Sequence, residues 1–326
     1  MTSSTTTPKV TVAILTKNAG SIFKEVLSSV LVQETPWQYE VLVIDSGSSD
    51  GTLEYVQNYP DVRLVQIQSH EFGHGKTRNL AVSLAQGEYV AMLTHDAQPA
   101  NKHWLVNLVT PFDVDESIGG VFGRHIAYPS ATPYTKRDLK LHFDHFLEWP
   151  SIMGIEDPER YQRDQGYKQV LHFFSDNNAC LRKSVWEVVQ YPNVDFAEDQ
   201  LWAKAILEKG YKRAYANDAV VSHSHDYSLW DTFRRSFDES RAMKRLFGYE
   251  LCPSFKQVLQ QVHACTRRDL AYLKNTLSLR TTWRLAVSTP FLHIAKQVGF
   301  YIGGHQGGSS NLFFNLFSLD NSKKKG

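Results

Sequence analysis

From Val10 onward the chain alternates short apolar runs with helical patterns, and few architectures accommodate that alternation. VTVAILT (10–16) is followed by SIFKEVLSSVLVQ (21–33), where Phe23, Val26, Leu27, Val30 and Leu31 recur on one helical face, and then by YEVLVID (39–45). A strand, helix, strand order of this kind predicts parallel strands covered by helices. DGTLEYVQNY reads as a short helix, VRLVQI as a strand, GKTRNLAVSLAQG as a helix closed by Gly87, and EYVAMLT as a further strand. The expected class is α/β, with a doubly wound, mostly parallel Rossmann-like sheet and flanking helices.

Beyond Gly119 the periodicity becomes irregular. GGVFGRHI precedes a long polar stretch around YTKRDLKLHFDHF, LHFFSDNNACLR looks like a strand, AEDQLWAKAILEKG a helix, and AYANDAVVSHSHDYS a last strand and loop. From Leu229 the pattern is helical, aromatic and basic, which predicts a separate α-helical region. The expected divisions are 9–227, 228–305 and a flexible tail over 306–326 that ends in LDNSKKKG.

Composition removes several function classes. With 35 basic and 34 acidic residues no global field favours nucleic acid. Cys180, Cys252 and Cys265 lack metal or redox spacing, which favours a reducing compartment and a cytoplasmic setting. MTSSTTTPKV has no apolar signal core, and WRLAVSTPFLHIAKQVGFYIGG carries Arg284, Pro290, His293 and Lys296, so neither secretion nor a bilayer span is expected.

Ligands of doubly wound sheets gather at the carboxyl ends of the strands, and three polar signatures fall there: TKN (16–18), DSGSSDGT (45–52) and THDAQP (94–99). The Ser and Gly amides of DSGSSDGT either meet a nucleotide, with Asp45 accepting from base or ribose, or form a plain Asx turn in which Asp50 caps a helix. HEFGHGKTRN offers Lys76 and the fork of Arg78 to an anion at a helix start, where Gly73 and Gly75 suggest a close approach and His70 and His74 decorate the loop. Asp96 is a turn former or a ligand for a diphosphate-bound Mg²⁺ or Mn²⁺, which needs only one or two protein carboxylates. His223 and His225 are structural or supply an imidazole, which suits Mn²⁺ better. Glu198 and Asp199 open a helix, as charges complementing its N-terminus or as a general base for an acceptor hydroxyl.

In order, VAILTKNAG, VLVIDSGSSDGT, FGHGKTRNLAVSLAQGEYVAMLTHDAQP, FFSDNNACLRKSVW, FAEDQLWAKAILEKGY and VVSHSHDYS resemble the family 2 glycosyltransferases of GT-A fold, within them the bacterial rhamnosyltransferase-like group. The resemblance covers Lys9 to Tyr227 and extends to the helical region. It implies inverting transfer of a sugar, L-rhamnose from dTDP-β-L-rhamnose, to a glycan or lipid-linked glycan. It places Asp45 near the base, Arg78 near the diphosphate, Asp96 on the metal and Asp199 as the base, with Glu198 beside it as a helix-end or acceptor-binding group. Thr16, Ser46, Gly75, Lys76 and His95 complete the donor side. Many members carry more acids where this chain has Thr94, His95, Asp96 and Ala97, so the metal would rest here on a single acid. Residues 128–170 are expected on the acceptor side. The basic helical region from Leu229 to Gly304 either lies peripherally on an anionic membrane or caps the sheet domain. A nucleotidyltransferase and a noncatalytic sugar-nucleotide-binding protein are the alternatives, the former poorly served by LTKNAG.

Overall fold

The computed structural model describes residues 7–276, 279–305 and 317–318. Its chain divides between His225 and Asp226 into two compact units.

The first unit is built on one sheet whose strands, in chain order, are β1 (Val10–Thr16), β2 (Tyr39–Asp45), β3 (Val62–Gln66), β4 (Tyr89–Thr94), β5 (Gln98–Pro99), β6 (Ile118–Ile126), β7 (Ile152–Met153), β8 (Asn178–Arg182) and β9 (Lys212–Ser222). Its helices are α1 (Ile22–Leu31), α2 (Thr52–Gln57), α3 (His74–Leu84), α4 (Trp104–Val109), α5 (Pro133–His145), α6 (Pro158–Arg163), α7 (Gln165–His172), α8 (Lys183–Val188) and α9 (Glu198–Glu208). The spatial strand order is β3-β2-β1-β4-β8-β6-β9-β5, with β7 on β9.

β3, β2, β1 and β4 are parallel, as the alternating pattern predicts. The sheet as a whole is mixed rather than mostly parallel, because β8 runs antiparallel to both its neighbours, β4 and β6. The chain reaches β8 through the short helices α6 and α7 rather than a crossover helix, so nothing obliges it to run parallel. LHFF belongs to the end of α7 and the turn after it, and only Asn178–Arg182 is strand. Its apolar side chains are buried in either geometry, so the run itself is mute about which one forms. The polar stretch 133–145 is a helix with Thr132 as cap, accepting from the Thr135 amide. α3 ends at Leu84, short of Gly87.

Apolar clusters fill both faces of the sheet. On one, α1 buries Phe23, Val26, Leu27 and Val30 against the strands, each such burial contributing ~1.5–3 kcal/mol. The three cysteines are free.

The second unit contains α10 (Leu229–Phe247), α11 (Phe255–Thr276) and α12 (Leu279–His305), as the helical pattern predicts. No helix among the described residues is long and apolar enough to cross a membrane. LDNSKKKG lies outside the described residues.

Candidate active site

Strand direction gathers the polar signatures. β1, β2 and β4 end together, and the pairing of Leu93 with Asn178 brings the start of the reversed β8 to the same end. β6 and β9 finish there as well, since Ile126 pairs with Ser222 and β6 is antiparallel to β8. Thr16, Asp45, Asp96, the Asp176 loop and His223 therefore emerge at one end of the sheet.

At the ends of β1 and β2 the polar groups mostly hold one another. The Asp45 carboxylate is fully buried. It accepts from the amides of Gly47 and Ser48 at 2.9 Å each, from Thr16 Oγ1 at 2.9 Å and from Ser48 Oγ at 2.5 Å. A nucleotide donor would have to join these bonds. Ser46 is buried too, its hydroxyl donating to the Thr16 carbonyl at 3.0 Å. Asn18, in the left-handed region at φ 46°, clamps the two loops by accepting from the Ser49 amide. Asp50 stands one residue ahead of the cap, which is Gly51, and accepts from the Gly20 and Thr52 amides instead. The residues left at the surface are Lys17, Asn18, Gly20, Gly47, Ser49, Asp50 and Gly51.

The start of α3 corrects two expectations. Gly75 is needed for chain packing, because a Cβ there would stand 2.0 Å from the Pro192 carbonyl oxygen. Arg78, expected at a diphosphate, is 6% exposed and is claimed by protein carboxylates. Its Nε lies 2.6 Å from Asp176 Oδ2, and its Nη1 contacts Glu198 Oε1. These are ion-pair contacts without aligned hydrogen bonds, since neither Nη1 nor Oδ2 has such a partner. Tyr191 Oη donates to Asp176 Oδ1 at 2.9 Å. Lys76 is exposed and so remains open to an anion.

α9 completes this cluster. Ala197 precedes it in the left-handed region at φ 56°, a conformation costing about 1–3 kcal/mol outside glycine. The turn it makes delivers Glu198, buried against Arg78, and Asp199, half-buried. Asp199 accepts from the Asp176 amide at 3.3 Å and from the Gln200 amide at 2.8 Å. Burial first, then the charges of Glu198 and Asp176, push its carboxyl up to about 8. Burial raises Asp176 as well, to about 6, although Arg78 opposes it. Asp176 has no role in the sequence reading. The signal that could have found it is electrostatic: a buried arginine demands carboxylates, and FFSD places one in an apolar setting.

Arg78→Met leaves those carboxylates without their cation and is expected to cost about 3–5 kcal/mol of stability, read by urea unfolding, with Arg78→Lys losing less. The contribution of Asp176 and Asp199 to the pH dependence has a definite sign. Asp176 and Asp199 titrate above their ordinary values in the fold, so from the usual carboxylate range up to about pH 8 the folded chain binds more protons than the unfolded one. Their contribution to stability therefore falls as pH rises through that window, opposite in sign to that of the buried histidines His125, His172 and His223, whose values burial lowers.

At the ends of β4 and β9, Asp96, His223 and His225 each offer one donor atom, all within 4.8 Å of one another. His225 Nε2 is 3.2 Å from Asp96 Oδ2, and His223 Nε2 is 3.6 Å from Oδ1. Burial alone would raise the Asp96 carboxyl, but the hydrogen bond from His225 and the nearby His223 and His95 hold it well below the usual range. Burial lowers His223 to about 4, leaving a neutral ring. An ionised carboxylate with neutral imidazole is a donor set that fits a divalent transition ion. His125, buried with its ring 5.4 Å from that of His223, backs the group. Of the stretch 128–170, Tyr128 reaches it, its Oη donating to the Asp96 carbonyl at 3.0 Å.

The sequence model described as Glycosyl transferase family 2 matches residues 11–189. The chain belongs to glycosyl transferase family 2. Among its curated relatives are two O-antigen chain rhamnosyltransferases, RfbN of Salmonella typhimurium at 36% identity over 233 residues and WbaN of Salmonella anatum at 32% over 237, each match covering 71% of both chains. The solved structure of a mannosyltransferase from Pyrobaculum calidifontis with GDP-Man and Mn²⁺ superposes at a TM-score of 0.58, with 21% identity over 92% of this chain and 86% of that one. S. aureus TarS 1-349 with UDP gives 0.52, at 17% identity over 93% and 94%. Both likenesses are of fold, and the family 2 chain has the GT-A architecture. Membership makes it a glycosyltransferase and removes the nucleotidyltransferase alternative.

Proposed function

We propose that this glycosyltransferase moves L-rhamnose from dTDP-β-L-rhamnose to a hydroxyl of a cell-surface glycan or lipid-linked glycan, with inversion at the anomeric carbon. Kinship with two rhamnosyltransferases supports the sugar, and the observation that carries the mechanism is Asp199. It is a carboxylate raised to about 8, at the sheet end that also holds Asp96, His223 and His225. That value suits a group that must take a proton near neutral pH.

In the proposed reaction the acceptor oxygen attacks the anomeric carbon, the bond from that carbon to the diphosphate oxygen breaks, and the acceptor proton passes to Asp199. Glu198 and Asp176, pinned by Arg78, fix the start of α9 and hence the aim of that carboxylate. The strand-end loops carrying Thr16, Asp45 and Ser46 would receive the nucleotide, and Lys76 and His95 the diphosphate. Asp96, His223 and His225 would hold Mn²⁺ or Mg²⁺. When bound, such an ion offsets the charge gathering on the departing diphosphate.

Released nucleotide, measured with dTDP-rhamnose against UDP and GDP sugars, tests the donor, and the expected outcome is a preference for dTDP-rhamnose. NMR of the product is expected to show an α-rhamnoside. Retained β configuration would sink the single displacement, and preference for a UDP or GDP sugar would sink the donor assignment alone.

A further inference from the structure

Along part of its length α12 turns polar side chains inward and apolar ones outward. Thr289, His293 and Gln297 are buried, with His293 Nε2 2.9 Å from Asp269 of α11. Trp283, Val287, Phe291 and Ile294 are 44–62% exposed. Their spacing of four, four and three residues puts them on one face over three turns. A contiguous apolar stripe left in water on a monomer marks an interaction surface.

Charge says what that surface meets. Residues 255–305 hold seven lysines and arginines and one acid, Asp269, within a chain that is balanced as a whole. Asp269 is 1% exposed and is paired with Arg268 and His293, so α11 and α12 present cations and no carboxylate to solvent. Arg284 lies with its guanidinium 5.3 Å from the Trp283 ring centroid, at the edge of the stripe. Tryptophan with arginine at the boundary of an apolar face suits the headgroup layer of a bilayer. A second copy would bring like charges together. Since no described helix is long and apolar enough to cross a membrane, the face would lie on a bilayer rather than enter a span.

We propose that the exposed face of α12 docks on the surface of an anionic phospholipid bilayer through Trp283, Val287, Phe291 and Ile294, steered by the basic surface of α11 and α12. This deepens the membrane contact expected of an enzyme with a lipid-linked acceptor. Its evidence is independent of donor and acceptor.

The test is flotation of the full chain with vesicles of phosphatidylcholine alone and of equimolar phosphatidylcholine and phosphatidylglycerol, without substrates. Co-flotation with the anionic vesicles at low salt, released at high salt, is expected. Val287→Ser with Phe291→Ser should cut the bound fraction about tenfold or more with all charges kept. Arg267→Gln and Arg284→Gln should each cut it about fivefold. Circular dichroism and donor hydrolysis should match wild type in all variants, separating loss of docking from loss of fold or chemistry. Three results overturn the proposal: wild type failing to float with anionic vesicles, the serine variant floating as well as wild type, or a doubled solution mass that the serine substitutions return to that of one chain.

Discussion

Asp199→Asn is expected to lower kcat by ~10²- to 10⁴-fold, the usual worth of a positioned general base, while donor affinity stays close to wild type. The asparagine keeps the size of the side chain and, with its one acceptor oxygen, one of the two amide bonds that Asp176 and Gln200 give to separate carboxylate oxygens, so most of the loss would fall on an interaction made in the transition state. The same residue shapes the pH profile. In the free enzyme its carboxyl titrates near 8, so kcat/KM should rise with pH along a limb of apparent pKa near 8, and that limb should vanish in the asparagine enzyme. Glu198→Gln should separate cleanly from it. Glu198 faces Arg78 inside the protein, so its loss should appear first in unfolding and less in kcat. An Asp199→Asn enzyme as fast as wild type would move the search for the base to Glu198 or the acceptor-side loop.

Asp96→Asn should weaken Mn²⁺ binding, read by calorimetry, by more than the ~10- to 100-fold typical of losing a residue that merely supports a ligand. Turnover should fall with it. Asp96 is the only acid of the triad, and His223 and His225 both contact it, so its removal takes away the negative donor and loosens the two imidazoles. Far-UV circular dichroism should be unchanged, because the residue sits at a strand end rather than in the core. His223→Ala should raise the metal requirement to a smaller degree. Full activity of Asp96→Asn in the presence of a chelator would take this residue out of the mechanism.

What was legible in the sequence follows from which forces are local. The face of α1 could be read from its helical period, and VTVAILT and YEVLVID from their shortness, their β-branched residues and their place on either side of that helix. The reversal of β8 could not, since its direction depends on the path of a connection and not on NACLR itself. The positions of Asp96 and VSHSH at strand ends and of Asp199 at a helix start were legible because such places are marked by composition. The true partners of Arg78 were hidden. Its charge advertises an anion without saying whether that anion belongs to a ligand or to Asp176 and Glu198. Gly75 misled for a similar reason. Glycine reports that something comes close, and here it is the Pro192 carbonyl.

The insertion of β8 between β4 and β6 also governs when a growing chain can become competent. β1 to β4 can pair as soon as they are synthesised, but β4 and β6 each keep an open edge toward the place β8 will take until Asn178–Arg182 arrives. Such edges invite pairing with other chains. Arg78 shares the delay. It lies on an early helix and stays hydrated until the late-made Asp176 and Glu198 can surround it. Its burial thus waits on chain made both just before β8 and well after it, so the ion cluster forms late, and the turn that carries Asp199 is held only once that cluster is in place.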